Sequence, residues 1–87
     1  MIHELNESNF QNFVSTGLVL VDFWADDCNP CKEMLGILDA FASRAPESLK
    51  IGKLNGNANV SIVQQYRIMS VPTIIFFLDG KPVDMLI

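Results

Sequence analysis

Two periodicities alternate along this chain: short apolar runs of strand character, and stretches in which apolar residues recur every three or four positions. Leu5 opens a short apolar stretch. Asn6 or Ser8 is placed to cap a helix reaching about Ser15, with Phe10, Phe13 and Val14 as its buried stripe. Thr16-Gly17 ends it. Leu18 to Trp24 is apolar apart from Asp22, rich in β-branched and aromatic residues, and too short for a typical helix. It predicts a central strand buried on both faces. Ala25 to Pro30 is polar. From Cys31 to Ala45 the helical spacing returns through Met34, Leu35, Leu38, Phe41 and Ala42, and Pro46 stops it. Leu49–Leu54 predicts a strand and Asn55-Gly56-Asn57 a turn. Asn59 is placed to cap a helix from Val60 to Tyr66, with Val60, Val63 and Gln64 or Tyr66 inward. Thr73–Leu78 predicts a second buried strand, and Asp79-Gly80 a hairpin turn into Val83–Ile87.

The resulting order is β-α-β-α-β-α-β-β. Crossover helices in the first half imply parallel pairing, and the two-residue turn near the end requires an antiparallel pair. The expected fold class is α/β, a mixed sheet of four or five strands with helices on both faces.

Composition narrows this further. Eighty-seven residues, 49% hydrophobic and 18% charged, fit one domain over 1–87 and exclude a disordered, collagen-like or coiled-coil chain. The net charge of −4 and the scattering of six Lys and Arg argue against nucleic-acid binding, which needs a clustered basic footprint. No apolar run approaches the ~20 residues of a membrane span. The Met1-Ile2-His3-Glu4-Leu5 start lacks the basic and apolar regions of a signal peptide. The expected location is the cytoplasm, with no membrane contact.

Cys28 and Cys31 are the only cysteines, too few and too close for a disulfide framework. They lie where the buried strand passes into the second helix. A helix start offers unpaired N–H groups and the positive end of its dipole, which stabilise a thiolate. Pro30 suits an early helical position, where its missing N–H costs nothing. Cys28 is expected at the exposed tip and Cys31 one turn in, more buried. Cys28 would then attack a disulfide, and Cys31 would resolve the mixed disulfide, given a base. The competing metal reading is weak, because zinc takes four ligands and His3 is the only other soft candidate. A metal or cluster bridging two chains is the remaining form of it.

The whole chain, from about Leu5 to Ile87, resembles the thioredoxin family. Five motifs carry the resemblance: Val21-Asp22-Phe23-Trp24-Ala25; Cys28-Asn29-Pro30-Cys31-Lys32; Lys53-Leu54-Asn55; Tyr66-Arg67-Ile68 together with Val71-Pro72-Thr73; and Phe76-Phe77-Leu78-Asp79-Gly80-Lys81-Pro82. The resemblance implies the thioredoxin fold and reduction of protein disulfides through a redox-active Cys28–Cys31 disulfide. No bound cofactor is implied. Electrons would come from a flavin- and NADPH-dependent thioredoxin reductase, and the substrates would be disulfide-containing proteins. Asp22 matches the buried carboxylate that takes the resolving cysteine's proton, and Lys53 matches its charge partner. Pro72 matches the cis-proline, beside which the Val71 backbone pairs with an extended substrate. Trp24, Asn29 and Pro30 match the substrate-facing surface around the cysteines.

The chain also departs from the pattern. Asp27 stands where the family usually has a second tryptophan, and with Asp26 it places negative charge beside Cys28, which disfavours the thiolate. Asn29 replaces a glycine, and Gly36 replaces a helix-kinking proline. The family's final helix has no counterpart after Ile87. Apolar residues of the last strands are therefore expected to lie uncovered, and the chain to self-associate there or to lose stability. These departures keep a second function class open, a thioredoxin-fold interaction module with slow or no redox turnover.

Overall fold

A computed structural model describes residues 1–87. The chain runs β1 (Ile2–Leu5), α1 (Phe10–Val14), β2 (Leu18–Trp24), α2 (Asn29–Ala42), β3 (Leu49–Asn55), α3 (Val60–Gln65), β4 (Thr73–Leu78) and β5 (Lys81–Leu86). One five-stranded sheet forms in the order β1-β3-β2-β4-β5. β1 and β2 flank β3 in parallel, and β4 lies antiparallel to both β2 and β5. The expected mixed sheet is therefore present, with five strands.

β2 lies at its centre because it can be buried on both faces. Its side chains alternate. Val19, Val21 and Phe23 join Leu5, Phe10, Val14, Leu54, Ile62, Ile75 and Phe77 in one core beneath α1 and α3. Leu20 faces the other way, into a smaller core with Leu38, Ile51 and Ile74 beneath α2. By the same alternation Asp22 lies on the α2 side. There a carboxylate takes a position that the strand pattern reserves for an apolar residue.

α1 is a single five-residue turn of helix, too short to persist alone, and is held by its buried Phe10 and Val14. Phe10, Tyr66 and Phe77 meet at ring-centroid distances of 5.4–5.7 Å and tie α1, the end of α3 and β4 together. Asn6 caps the entry to the first helix as expected: its side chain accepts from the Ser8 and Asn9 N–H groups and its carbonyl from the Phe10 N–H (3.0 Å), and regular helix runs from Phe10. α2 begins two residues earlier than its spacing predicts and stops at Ala42, three residues short of Ala45. In α3 the core residue is Ile62, whereas Val60 is exposed. Asn59 occupies the capping position without making a cap bond. Its side chain instead bridges the Asn55 carbonyl and the Glu7 N–H.

The Asp79-Gly80 turn has positive φ at both residues (49° and 87°), the conformation that an antiparallel two-residue hairpin needs. It is tied back to Gly17 through the Asp79 carboxylate and backbone N–H, at 2.8 and 3.0 Å. β5 is exposed along its whole length, including Val83, Met85 and Leu86.

Gly52 on β3 lies where a Cβ would come within 2.6 Å of the Leu5 side chain and 3.1 Å of Phe13. Gly52→Ala is therefore expected to destabilise the fold by about 1–3 kcal/mol through overpacking. A lowered urea midpoint with unchanged slope would register it, and an unchanged midpoint would show that Leu5 can turn aside without cost.

Candidate active site

The site is built where β2 hands over to α2. Its loop, residues 25–27, is fixed from the neighbouring strand. The Gly56 N–H donates to the Trp24 carbonyl (2.7 Å), the Asp26 N–H donates to Asn57 Oδ1 (2.7 Å), and Asn55 Nδ2 donates to Asp26 Oδ1 (3.3 Å). Asp27 takes a left-handed conformation, φ 56°, which aspartate tolerates better than most residues.

Cys28 is the N-cap residue of α2, with extended backbone (φ −115°, ψ 101°). The Cys31 N–H points at its sulfur, with N···Sγ 3.2 Å. An N-cap side chain ordinarily supplies oxygen for this bond. Here sulfur supplies it, so the helix start that would lower a thiol's pKa is aimed at Cys28 Sγ. Pro30 lies in the first helical turn, and Asn29 precedes it on the surface. Cys28 and Cys31 are joined in a disulfide, their Cα atoms 5.2 Å apart. Cys31 is 1% exposed, and Cys28 is half-buried rather than fully exposed at the tip.

The Val71–Pro72 peptide is cis, and the Val71 carbonyl oxygen lies 3.9 Å from Cys28 Sγ. The loop is anchored by Thr73, nearly fully buried, whose hydroxyl donates to the Ser70 carbonyl at 2.6 Å. Pro72 and Val71 thus border the disulfide. On one side of them lies a hollow of about 330 Å³ between Met34, Ile74, Leu86 and Ile87. On the other side a second hollow is lined by Ala25, Val63, Ile68 and Met69.

Asp22 is fully buried, and neither of its carboxylate oxygens has a hydrogen-bond partner. Burial pushes its pKa from 3.8 up to about 6, opposed only in part by the Lys53 ammonium. Lys53 is its register partner on β3, and Ile74 its partner on β4. The Lys53 ammonium is 3.9 Å from Glu4 Oε1. Trp24, half-buried at the end of β2, has its indole N–H buried without an acceptor.

The family model for thioredoxin matches residues 1–87. The chain belongs to the thioredoxin family. It is 39% identical over 87 residues to a thioredoxin of Chlamydia caviae, covering all of this chain and 84% of that protein. It is 40% identical over 83 residues to a thioredoxin of Chlamydia pneumoniae (95% of this chain, 80% of that protein). To a thioredoxin of Staphylococcus saprophyticus it is 38% identical over 86 residues (99% and 83%). With these thioredoxin relatives and its Cys28–Cys31 pair, the protein is a thiol–disulfide oxidoreductase, a protein-disulfide reductase of thioredoxin type.

The structure brings Cys28, Cys31, Val71 and Pro72 together, with Asn29 and Pro30 on the surface beside them and Asp22 beneath α2. Lys53 lies one strand further out. Four further residues contribute to the site. Asn55 and Asn57 read as turn residues in the sequence, yet they hold the Asp26 loop. Glu4 carried no signal, because its meeting with Lys53 depends on strand register. The Ser70 carbonyl that anchors Thr73 is backbone and leaves no trace in sequence.

Proposed function

We propose that the protein is a cytoplasmic reductant of disulfides in client proteins, working as one thioredoxin domain over residues 1–87. The observation that carries this is Cys28 at the N-cap of α2, with the Cys31 N–H on its sulfur and Cys31 itself buried. In the reduced protein the Cys28 thiolate attacks one sulfur of a client disulfide. The client's other sulfur leaves as a thiolate and takes up a proton. Cys31 gives its proton to Asp22, through water, and attacks Cys28 Sγ. The client's second thiolate leaves, and the Cys28–Cys31 bond closes. That second thiolate takes up the proton that Asp22 returns through water, so two electrons have passed to the client, and the two protons it gains equal in number those that Cys28 and Cys31 have given up.

Asp22 suits the base role, since a carboxyl group with a pKa near 6 accepts protons at neutral pH. Lys53 is its charge partner. The Val71 backbone beside cis-Pro72 is the edge on which an extended client segment would pair as an added strand. Trp24, Asn29 and Pro30 form the rest of the contact surface. A flavin- and NADPH-dependent thioredoxin reductase would return the electrons, so no cofactor is held by this chain. No helix is long and apolar enough to cross a membrane. Clients and the reductase are the partners, and nucleic acid is not among them. Self-association through exposed apolar residues of β5 belongs to the same proposal.

Insulin reduction by dithiothreitol tests the function. Catalytic amounts of the protein are expected to shorten the lag before the insulin B chain precipitates, and Cys28→Ser to abolish the effect. A lag equal to that without protein would favour a binding module instead.

A further inference from the structure

Three charged residues stand in one row across three strands. Asp22 on central β2 is in register with Lys53 on β3, and Lys53 with Glu4 on edge strand β1. Alternation places all three on the α2 side, since Leu20, Ile51 and Ile2 belong to the core on that side. Exposure falls inward along the row. The Glu4 side chain is 63% exposed, that of Lys53 32%, and Asp22 is fully buried. The single ammonium in the row has its ion pair on the outer side, with Glu4 Oε1 at 3.9 Å, while both Asp22 oxygens go without a partner.

We propose that Glu4 is a positioning residue for the resolving step: it holds the Lys53 ammonium toward the sheet edge, away from Asp22, and so keeps Asp22 basic enough to take the Cys31 proton. This rests on the assignment of Asp22 as that proton's acceptor. The surroundings leave few other groups to do it. β4 offers only Ile74 opposite Asp22. α2 turns the exposed Lys32, Glu33 and Asp39 outward, and its buried residues are Cys31 and Leu38. The titratable groups facing Asp22 are therefore Lys53, with Glu4 behind it, and the Cys31 thiol of the reduced protein. Removing the Glu4 charge acts twice in the same direction. It frees Lys53 to approach Asp22, and it withdraws a negative charge that opposes ionisation of Asp22.

The test is the titration of the Asp22 carboxyl, followed by carbon NMR in the reduced protein, beside the pH profile of mixed-disulfide resolution. Glu4→Gln is expected to lower the Asp22 midpoint by about 0.3–0.7 pH units, the size of a partly exposed ion pair. The midpoint of the resolution profile should move down with it, and Glu4→Asp should restore most of the shift. In a Lys53→Met background the Glu4→Gln shift should shrink to a fraction. The urea midpoint should barely change. An Asp22 midpoint that Glu4→Gln leaves in place would overturn the proposal, as would a shift of undiminished size without Lys53. A shifted Asp22 midpoint with an unmoved resolution profile would instead overturn Asp22 as the base, and Glu4's part in resolution with it, while its hold on Lys53 stands.

Discussion

Cys31→Ser is expected to accumulate covalent mixed disulfides with client proteins, stable until a reductant is added, whereas Cys28→Ser accumulates none. The asymmetry follows from position. Cys28 caps α2, is reachable, and receives the helix N–H that favours its thiolate. Cys31 is 1% exposed and reaches only a sulfur already bound to Cys28. A client can therefore meet Cys28 but not Cys31. In the Cys31→Ser protein the first exchange proceeds and the second cannot, because a hydroxyl does not displace a thiolate. Non-reducing electrophoresis of each variant mixed with a disulfide-bonded protein reads the outcome. Equal trapping by both variants would mean that the two sulfurs are interchangeable.

Asp22→Asn should have opposite effects on stability and on rate. The folded-state pKa of about 6 lies above the ordinary 3.8, so the native protein binds this proton more tightly than the unfolded chain does. The contribution of Asp22 to stability is therefore most favourable below about pH 4. It declines as pH rises toward 6 and remains unfavourable above. At pH 8 the ionised, unpartnered carboxylate costs about 2–3 kcal/mol, from a displacement of roughly two pKa units. Asp22→Asn should recover most of that at pH 8 and nothing at pH 3.5, as urea unfolding at the two values would show. Over the same change, resolution of the mixed disulfide should slow on the order of 100-fold at neutral pH, the low end of what a positioned base supplies. Formation of the mixed disulfide should be left nearly unchanged. Stability that rises equally at both pH values would point to packing rather than charge. A resolution rate that does not fall would reduce Asp22 to a structural residue.

Much of this was legible in the residues themselves. The run Leu18–Trp24, apolar except at Asp22, announces a strand buried on both faces, and Asp22 stands out because nothing else in the run is polar. Asp79-Gly80 specified its hairpin through conformations that few residue pairs adopt. The Cys28–Cys31 spacing at a strand-to-helix junction named the chemistry, and resemblance supplied the cis-proline. What sequence could not supply was set by contacts between distant segments. Three apolar residues in the six-residue α3 fit more than one helix face. The face chosen is the one that seats Ile62 in the core near Tyr66, which leaves Val60 in solvent. Glu4 looked like any edge-strand carboxylate until the parallel register set it opposite Lys53.

The central claim is that Cys28 and Cys31 pass two electrons to a client and finish as a closed disulfide. A single turnover without dithiothreitol tests it most directly. The pre-reduced protein is mixed with one equivalent of a disulfide-bonded protein, quenched in acid, and weighed by intact mass. The account predicts a protein lighter by two hydrogens, with no adduct at completion and two new thiols on the client. A persistent adduct, or a protein that keeps both hydrogens, would contradict it.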